Sequence, residues 1–288
     1  MSIQETDSAV TLVHPENPNT SVTILKYGAT VYSWKSNGKE KLWLSTSAKL
    51  DGTKAVRGGI PLVFPAFGKN TTDKYLKDLP QHGFARTSVW KCNGLVRSHP
   101  PTVQFELNES IADEKLIKLW PYKFTIKYNV ELGSDHLKTY VDIFNDGQEA
   151  FDFNWLFHTY YKINNINDVY VCDLKDDSTH DNITGKDATE LNSKVIIGEE
   201  VDRRYLNVKT VKPVHIMDAK SGTPLVTLIR SNLPDVVVWN PWIEKAKGMG
   251  DFDPKDGYQN MLCVEPGYIH GLATLKPCQK WSSYQYIY

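Results

Sequence analysis

Alternation of apolar and polar residues is the strongest pattern along the chain. Segments 102–108 and 124–132 alternate without a fault, which predicts antiparallel strands with one buried and one solvated face. Turn-forming pairs such as Asn37-Gly38 and Asp146-Gly147 separate segments of this kind. The other predicted strands cover 22–26, 29–35, 89–97, 137–144, 151–161, 211–217, 224–230, 236–239, 261–265 and 281–288.

Helical periodicity is limited to two short segments. Segment 110–118 predicts a helix that Ser110 caps and Trp120-Pro121 ends, and segment 244–247 predicts a second helix that ends at Gly248. Neither is long enough to connect parallel strands. The expected fold is therefore all-β: one large antiparallel β-sandwich with a few short helices, in which residues 1–288 form a single domain. Loop-rich regions at 66–82 and 173–193 lie within the strand series.

Charge and composition narrow the possible partners. The chain has 33 Lys and Arg against 34 Asp and Glu, whereas nucleic-acid-binding proteins usually show a basic excess. No apolar run approaches the ~18 residues of a membrane helix, and the polar, acidic N-terminus does not resemble a secretory signal. We expect a cytoplasmic monomer with no nucleic-acid or membrane partner, whose four widely spaced cysteines stay reduced.

Motifs for the common cofactors are missing from the sequence. It contains no GxxxxGK[ST], GxGxxG, GxSxG or HExxH, and no histidine pair at metal-ligand spacing. This disfavours ATPases, dinucleotide enzymes and α/β-hydrolases. We therefore expect no cofactor and no metal.

Two glycine-containing segments place arginines beside other polar groups. In RGGIPLVFPAFG, Arg57 precedes two glycines, which allow a backbone to approach a ligand closely. The segment PQHGFAR contains Gln81, His82 and Arg86. Two guanidinium groups from two loops suit a dianion such as a phosphate monoester. The alternatives are a surface arginine beside a tight turn and a polar loop with a capping histidine.

Three further segments contain candidate groups. Alternation along FDFNWLFHTY places the aromatic residues on a core face and His158 on the other face, where it is either structural or functional. In CVEPG, an apolar strand ends at Glu265, which Pro-Gly fixes; this suits a catalytic base or a turn-capping residue. The WNPW turn from Trp239 suits sugar stacking or packing between loops. Asp202, outside the clear strands, adds a carboxylate without a local signature.

The motifs RGGIPLVFPAFG, QHGFAR, HTYY, NPW and CVEPG, in this order, resemble those of the hexose-6-phosphate mutarotases, or glucose-6-phosphate 1-epimerases. These enzymes belong to the aldose 1-epimerase, or galactose mutarotase-like, group. The resemblance covers nearly the whole chain. It implies a large antiparallel β-sandwich with a groove on one sheet. It also implies an isomerase that interconverts the α and β anomers of hexose 6-phosphates, chiefly glucose 6-phosphate, without a cofactor.

The resemblance also assigns roles to individual residues. It places the catalytic histidine at His158 and the catalytic glutamate at Glu265. Tyr161 stands where phenylalanine is commoner, but its parity assigns it to the core face. The implied substrate-binding residues are Arg57, Gln81 and Arg86, with His82 beside them, and Asp202, where the motif is weak.

Mutarotation requires a base for the anomeric hydroxyl and an acid for the ring oxygen. With their ordinary pKa values of about 4.3 and 6.5, Glu265 is a ready base and His158 an accessible acid at neutral pH. Two alternatives stay open. One is an aldose 1-epimerase that acts on free sugars, and the other is a carbohydrate-binding sandwich without catalysis. A structural interaction protein is least favoured, since it needs none of the five motifs.

Overall fold

A computed structural model describes residues 2–69 and 73–288 of the chain. This part forms three antiparallel sheets, two short α-helices and three 3-10 helices, at Ala85–Thr87, Ile166–Asp168 and Gly257–Asn260. The α-helices are α1 (Glu114–Leu119) and α2 (Trp242–Gly248). The strands are β1 (Ser2–Glu5), β2 (Ala9–His14), β3 (Asn17–Leu25), β4 (Val31–Ser36), β5 (Lys39–Glu40), β6 (Leu62–Val63), β7 (Lys91–Ser98), β8 (Pro101–Asn108), β9 (Phe124–Leu132), β10 (Leu137–Asn145), β11 (Phe151–Phe157), β12 (Tyr160–Lys162), β13 (Val169–Cys172), β14 (Ser178–Asp181), β15 (Lys186–Thr189), β16 (Lys194–Val195), β17 (Val201–Leu206), β18 (Val214–Asp218), β19 (Pro224–Ser231), β20 (Asp235–Asn240), β21 (Met261–Leu275) and β22 (Lys280–Ile287).

The two larger sheets form the sandwich. One has the order β16-β13-β18-β19-β22-β10-β9-β8-β7, and the other has the order β15-β14-β17-β20-β21-β11-β6, with β12 also paired to β21. Their facing side chains form the main core, where the rings of Tyr128 on β9 and Phe157 on β11 lie 6.3 Å apart. Strands β1 to β5 form the third sheet. The prediction of an all-β antiparallel sandwich is confirmed.

Strand prediction succeeded where alternation is long. The predicted strand at 124–132 coincides with β9, while the one at 151–161 is divided into β11 and β12 at His158-Thr159. Region 173–193 was predicted to be loop, but it contains β14 and β15, and β17 follows it. Of the loop-rich region 66–82, residues 70–72 lie outside the described residues.

The first helix begins later than predicted. The Asp113 carboxylate accepts a hydrogen bond from the Lys115 N–H and caps α1. Ser110 instead donates its hydroxyl to Asn108, so its assignment as the cap was wrong. No helix among residues 2–69 and 73–288 combines the length and apolar character needed to cross a membrane.

The sheet that contains the path from β15 to β6 has a second apolar layer on its outer face. Val236 and Val238 of β20 belong to the main core, whereas Val237 and Trp239 belong to this outer layer. Close strand packing requires glycine here, because a Cβ at Gly267 would lie 2.9 Å from the Trp155 carbonyl oxygen. A groove lies above this outer layer, which therefore forms a dense, rigid floor beneath it.

Candidate active site

Two titratable side chains meet at the centre of this floor. Glu265 lies on β21, and His158 directly follows β11, where its backbone N–H donates to the Pro61 carbonyl at 3.0 Å. The His158 Nδ1 and Glu265 Oε1 atoms are 3.2 Å apart. Because β21 continues to Leu275, Glu265 lies inside a strand and not at its end, which corrects the prediction from CVEPG. Its backbone pairs with Val237 of β20, and on the other side of β21 the neighbouring Gly267 and Cys263 pair with β11 and β12.

Aromatic packing fixes the imidazole of His158. The Tyr160 ring stacks on it at a centroid distance of 4.7 Å and an interplanar angle of 6°. The Trp239 ring meets it edge-on at 5.9 Å, and the Cys263 Sγ lies 3.9 Å from Nδ1. Only 9% of His158 and 2% of Glu265 is exposed. The pair is thus almost completely shielded from solvent.

Burial changes the protonation of both groups. It lowers the pKa of His158 well below the ordinary 6.5, and His82 and Arg86 lower it further. Burial also raises the pKa of Glu265 well above the ordinary 4.5, and the Asp202 charge raises it further. The expectation that both groups keep ordinary pKa values was therefore wrong. Both shifts disfavour the charged form of the side chain, so a proton shared by the pair lies on Glu265 in preference to His158.

His82 is a neutral neighbour of this pair. Its φ of 67° is left-handed, and the adjacent Gly83 is required because a Cβ there would lie 2.1 Å from the Phe64 carbonyl oxygen. Burial, reinforced by Arg86 and Arg57, lowers the pKa of His82 to about 3. Its Nδ1 accepts a hydrogen bond from the Gly68 N–H at 3.2 Å, which leaves the ring proton on Nε2.

The glycines after Arg57 serve the fold. A Cβ at Gly58 would lie 2.5 Å from the Trp43 carbonyl oxygen, and one at Gly59 would lie 2.2 Å from that of Val31. The close approach is therefore to neighbouring backbone and not, as expected, to a ligand. This packing sets the direction of the chain that presents Arg57.

The two predicted arginines differ in their partners. Arg57 Nε lies 3.3 Å from Asp251 Oδ1, and its NH1 donates to the Tyr160 hydroxyl at 3.2 Å. The interaction with Tyr160, aided by Asp251, raises the pKa of Arg57 against the effect of burial. Arg86 donates to the Gln81 carbonyl at 2.9 Å. Within residues 2–69 and 73–288 it has no carboxylate partner, and its buried Nε has no hydrogen-bond partner. Arg86 is therefore a cation available to an anion.

Asp202 lies on β17, which corrects its placement outside the strands. Its Oδ1 accepts a hydrogen bond from the Asn182 amide at 2.7 Å, and its Oδ2 lies 3.9 Å from Lys245 Nζ. Across the sheet it pairs with Trp239. Its effect on the pKa of Glu265 places its charge within electrostatic reach of the floor.

All seven residues predicted for the site line one groove of about 580 Å³, within the range of small-molecule sites. The WNPW prediction holds only in part, because Trp239 lines the groove while the Trp242 ring packs against Tyr258 at 5.2 Å. Several lining residues were not predicted from the sequence. Phe67 and Gly68 had a usable signal, since they end the motif RGGIPLVFPAFG. The missed residues are Phe67, Gly68, Lys69, Asn182, Arg204, Val237, Lys245 and Met249.

Comparison with known proteins identifies the family. The model of the aldose 1-epimerase family matches residues 10–288. The chain belongs to the aldose 1-epimerase family. The family resemblance inferred from the five motifs is confirmed.

Individual relatives agree with this assignment. A Cenchrus ciliaris protein with the provisional name glucose-6-phosphate 1-epimerase is 36% identical over 91% of this chain and 79% of its own length. An Escherichia coli K12 protein with the same provisional name is 29% identical over 89% of this chain and 83% of its own length. The crystal structure of a provisionally named mutarotase from Salmonella typhimurium has a TM-score of 0.84 and 26% identity, covering 99% of this chain and 92% of that one.

Among the residues that the structure describes, two side-chain groups have atoms close enough to share a metal ion. The ligand atoms of His158, Cys263 and Glu265 lie within 4.8 Å of one another, as do those of Cys172, Asp173 and His215. The first group is the acid–base pair with a thiol beneath it. Distances alone do not make either group a metal site, and the absence of a required metal stays a prediction.

Proposed function

We propose that this chain catalyses the interconversion of the α and β anomers of hexose 6-phosphates, chiefly glucose 6-phosphate. The main support is the 3.2 Å contact between His158 and Glu265 in a groove that Arg57 and Arg86 also line. The provisional names of the Cenchrus and Escherichia relatives support the same substrate.

The reaction is a balanced exchange of two protons. The Glu265 carboxylate takes the proton of the anomeric hydroxyl, and the His158 imidazolium gives a proton to the ring oxygen. The C1–O5 bond then breaks, and a free aldehyde forms. After rotation about C1–C2, the C5 hydroxyl attacks the other face of the carbonyl and both protons return.

Because burial disfavours charge on both side chains, the proton of the free pair lies on Glu265, and it must move to His158 to form the carboxylate–imidazolium pair that ring opening uses. Ring opening converts the carboxylate–imidazolium pair into a neutral carboxyl and a neutral imidazole, and ring closure restores the charged pair. The 3.2 Å contact between Glu265 Oε1 and His158 Nδ1 gives the shared proton a direct path between the two side chains. Each well-placed proton-transfer group typically contributes about 10²–10⁴ in rate.

Strand order supports one orientation of the sugar. His158 follows β11 and acts at the ring oxygen, while Glu265 on the neighbouring β21 acts at the anomeric hydroxyl. C5 and the C6 phosphate then extend beyond β11 toward β6, which Arg57 and Arg86 flank. Gln81 and His82 lie at this end, and Asp202 lies at the other end, near the remaining hydroxyls.

The arginines account for the choice of a phosphorylated sugar. A phosphate monoester is mostly a dianion at pH 7, and a hydrogen bond to a charged group contributes about 1.5–3 kcal/mol. Two such contacts separate glucose 6-phosphate from glucose by about two to four powers of ten.

NMR exchange spectroscopy of the two anomers tests the proposal directly. The protein should accelerate exchange of glucose 6-phosphate far more than exchange of glucose. Equal acceleration of both sugars would instead indicate an aldose 1-epimerase for free sugars. Binding without any acceleration would indicate a carbohydrate-binding protein.

We also propose a cytoplasmic monomer in which residues 1–288 form one structural unit. The four free cysteines are compatible with a reducing compartment. The main core includes residues from Val10 to Ile287, which supports a single unit. Sedimentation velocity tests the monomer, and it is contradicted if the sedimenting mass is a multiple of 32.8 kDa.

A further inference from the structure

Arg204 is a charged groove residue that neither the family motifs nor the proposed proton chemistry uses. It lies half-buried on β17 and lines the groove. Its Nε is buried without a hydrogen-bond partner. Its side chain makes no hydrogen bond or ion pair with any residue of 2–69 and 73–288. A guanidinium group with five donors is therefore available to a molecule in the groove.

The sheet register places Arg204 in the same row as the catalytic pair. Arg204 pairs with Val237 on β20, and Val237 pairs with Glu265 on β21. The Arg204 and Glu265 backbones are thus two strand spacings apart, about 9–10 Å. The small side chain of Val237 lies between them on the floor. A sugar ring over Val237 therefore lies between the carboxyl of Glu265 and the guanidinium of Arg204.

The direction of the sugar follows from this row and rests on the proposed function. If His158 acts at the ring oxygen and Glu265 at the anomeric hydroxyl, the ring continues from C1 to C2 toward β20 and β17. The C2 and C3 hydroxyls then point to Arg204 and Asp202. This end of the groove is opposite to the one that Arg57 and Arg86 line.

The chemistry of this end favours hydroxyls over a second anion. Asp202 is on the same face of β17 as Arg204, two residues away, and its charge interacts with that of Arg204. A carboxylate accepts hydrogen bonds and a guanidinium donates them, which together match adjacent hydroxyls that do both. A second phosphate would instead meet the like charge of Asp202.

We propose that Arg204 is a specificity-determining residue, which donates hydrogen bonds to the hydroxyls on C2 and C3 of the hexose 6-phosphate, with Asp202 as the acceptor beside it. Arg204 thus binds the sugar hydroxyls, whereas Arg57 and Arg86 bind the phosphate. It touches no atom that gains or loses a proton in the reaction.

The test combines substitutions in the protein with deletions in the substrate. Anomer exchange is measured for Arg204→Met, Arg204→Lys and the unmodified protein on glucose 6-phosphate, 2-deoxyglucose 6-phosphate and 3-deoxyglucose 6-phosphate. Arg204→Met should lower kcat/KM on glucose 6-phosphate by about 10- to 100-fold, mostly through KM. On at least one deoxy sugar the same substitution should change kcat/KM little, because the contact is already missing. Arg204→Lys should recover part of the loss, since an ammonium lacks the planar fork.

Controls separate this inference from the proposed function. Lys162→Met removes a positive charge from an exposed side chain of β12, outside the groove, and should leave all three rates unchanged. Even without a variant, the unmodified protein should discriminate against at least one deoxy sugar by a similar factor. Equal losses on all three sugars, or no discrimination by the unmodified protein, would overturn the role of Arg204 while anomer exchange itself persists. Lack of catalysis by the unmodified protein on every sugar would reject the proposed function, and this inference with it.

Discussion

The floor of the groove and its arginine end differ in burial and in proposed chemical role. His158 and Glu265 come from central strands, contact each other and are almost fully buried. Arg57 and Arg86 come from the segments that flank the edge strand β6, and both stay partly accessible. Burial gives the floor its shifted pKa values, which suit proton transfer. Burial lowers the pKa of Arg86, but the high intrinsic pKa of a guanidinium keeps both arginines charged, and their partial accessibility suits capture of a phosphate from water.

Removing either floor residue should have the largest effect. Glu265→Gln and His158→Gln keep the approximate shape of each side chain but remove the proton-transfer group, so we expect turnover to fall about 10²–10⁴-fold. Saturation transfer NMR of the anomers measures this loss, and the KM for glucose 6-phosphate should change much less. Near-normal turnover in either variant would reject its catalytic role.

A matched histidine provides the control for this experiment. His180 lies on β14 in the same cross-sheet row, paired with Arg204, but its ring contacts Asp187 and does not line the groove. His180→Gln should therefore retain turnover. A loss equal to that of His158→Gln would mean that disturbance of the sheet, and not proton transfer, explains both results.

Substitution at the arginine end should produce a smaller effect of another kind. Arg86→Met and Arg57→Met should each lower kcat/KM for glucose 6-phosphate about 10- to 100-fold and leave kcat/KM for glucose nearly unchanged. The ratio of the two values is the measurement. An unchanged preference in both variants would contradict the phosphate assignment.

The partners of the two arginines sharpen this prediction. Arg57→Met removes a partner of Asp251, whose side chain is 9% exposed, and should lower the free energy of unfolding by about 1 kcal/mol. Arg86 has no such carboxylate among the described residues, so Arg86→Met should change stability less. Lys54→Met is the control, since Lys54 also contacts Asp251 at 3.0 Å but does not line the groove. It should keep the preference for phosphate.

The floor and the arginine end also differ in how far sequence could predict them. Alternation along 151–161 placed His158 on the face opposite to the core aromatics, and the motifs supplied both arginines. The contact between His158 and Glu265 joins distant parts of the chain, so the family resemblance implied it and local pattern did not. The pKa shifts could not be predicted, because burial by Tyr160 and Trp239 arises only after the sheet has formed.

Strand β17 shows why part of the site was missed. Its face toward the groove carries Asp202 and Arg204, and the core face includes Arg203 between apolar residues, so clean alternation is lost. Pairing with β14 and β20 makes this segment a strand. Hydrophobic periodicity therefore does not predict groove residues that lie on short, polar strands.

The last prediction uses pH to compare the buried floor with groups in water. With ordinary pKa values of 4.5 and 6.5, a Glu–His pair holds one proton only between those values, and kcat would fall tenfold per pH unit above 6.5. In this protein the pKa of Glu265 is raised and that of His158 is lowered, so neither limit stays at its ordinary value. The pair takes up its first proton at the raised pKa of the carboxyl and its second only below the lowered pKa of the imidazole. We therefore expect kcat to lack the tenfold loss per pH unit, starting at pH 6.5, that ordinary pKa values would give. Measurement at saturating glucose 6-phosphate excludes the effect of the phosphate pKa near 6 on binding. A steep loss of kcat above pH 6.5 would show that water reaches His158 and Glu265 during catalysis and keeps their pKa values ordinary.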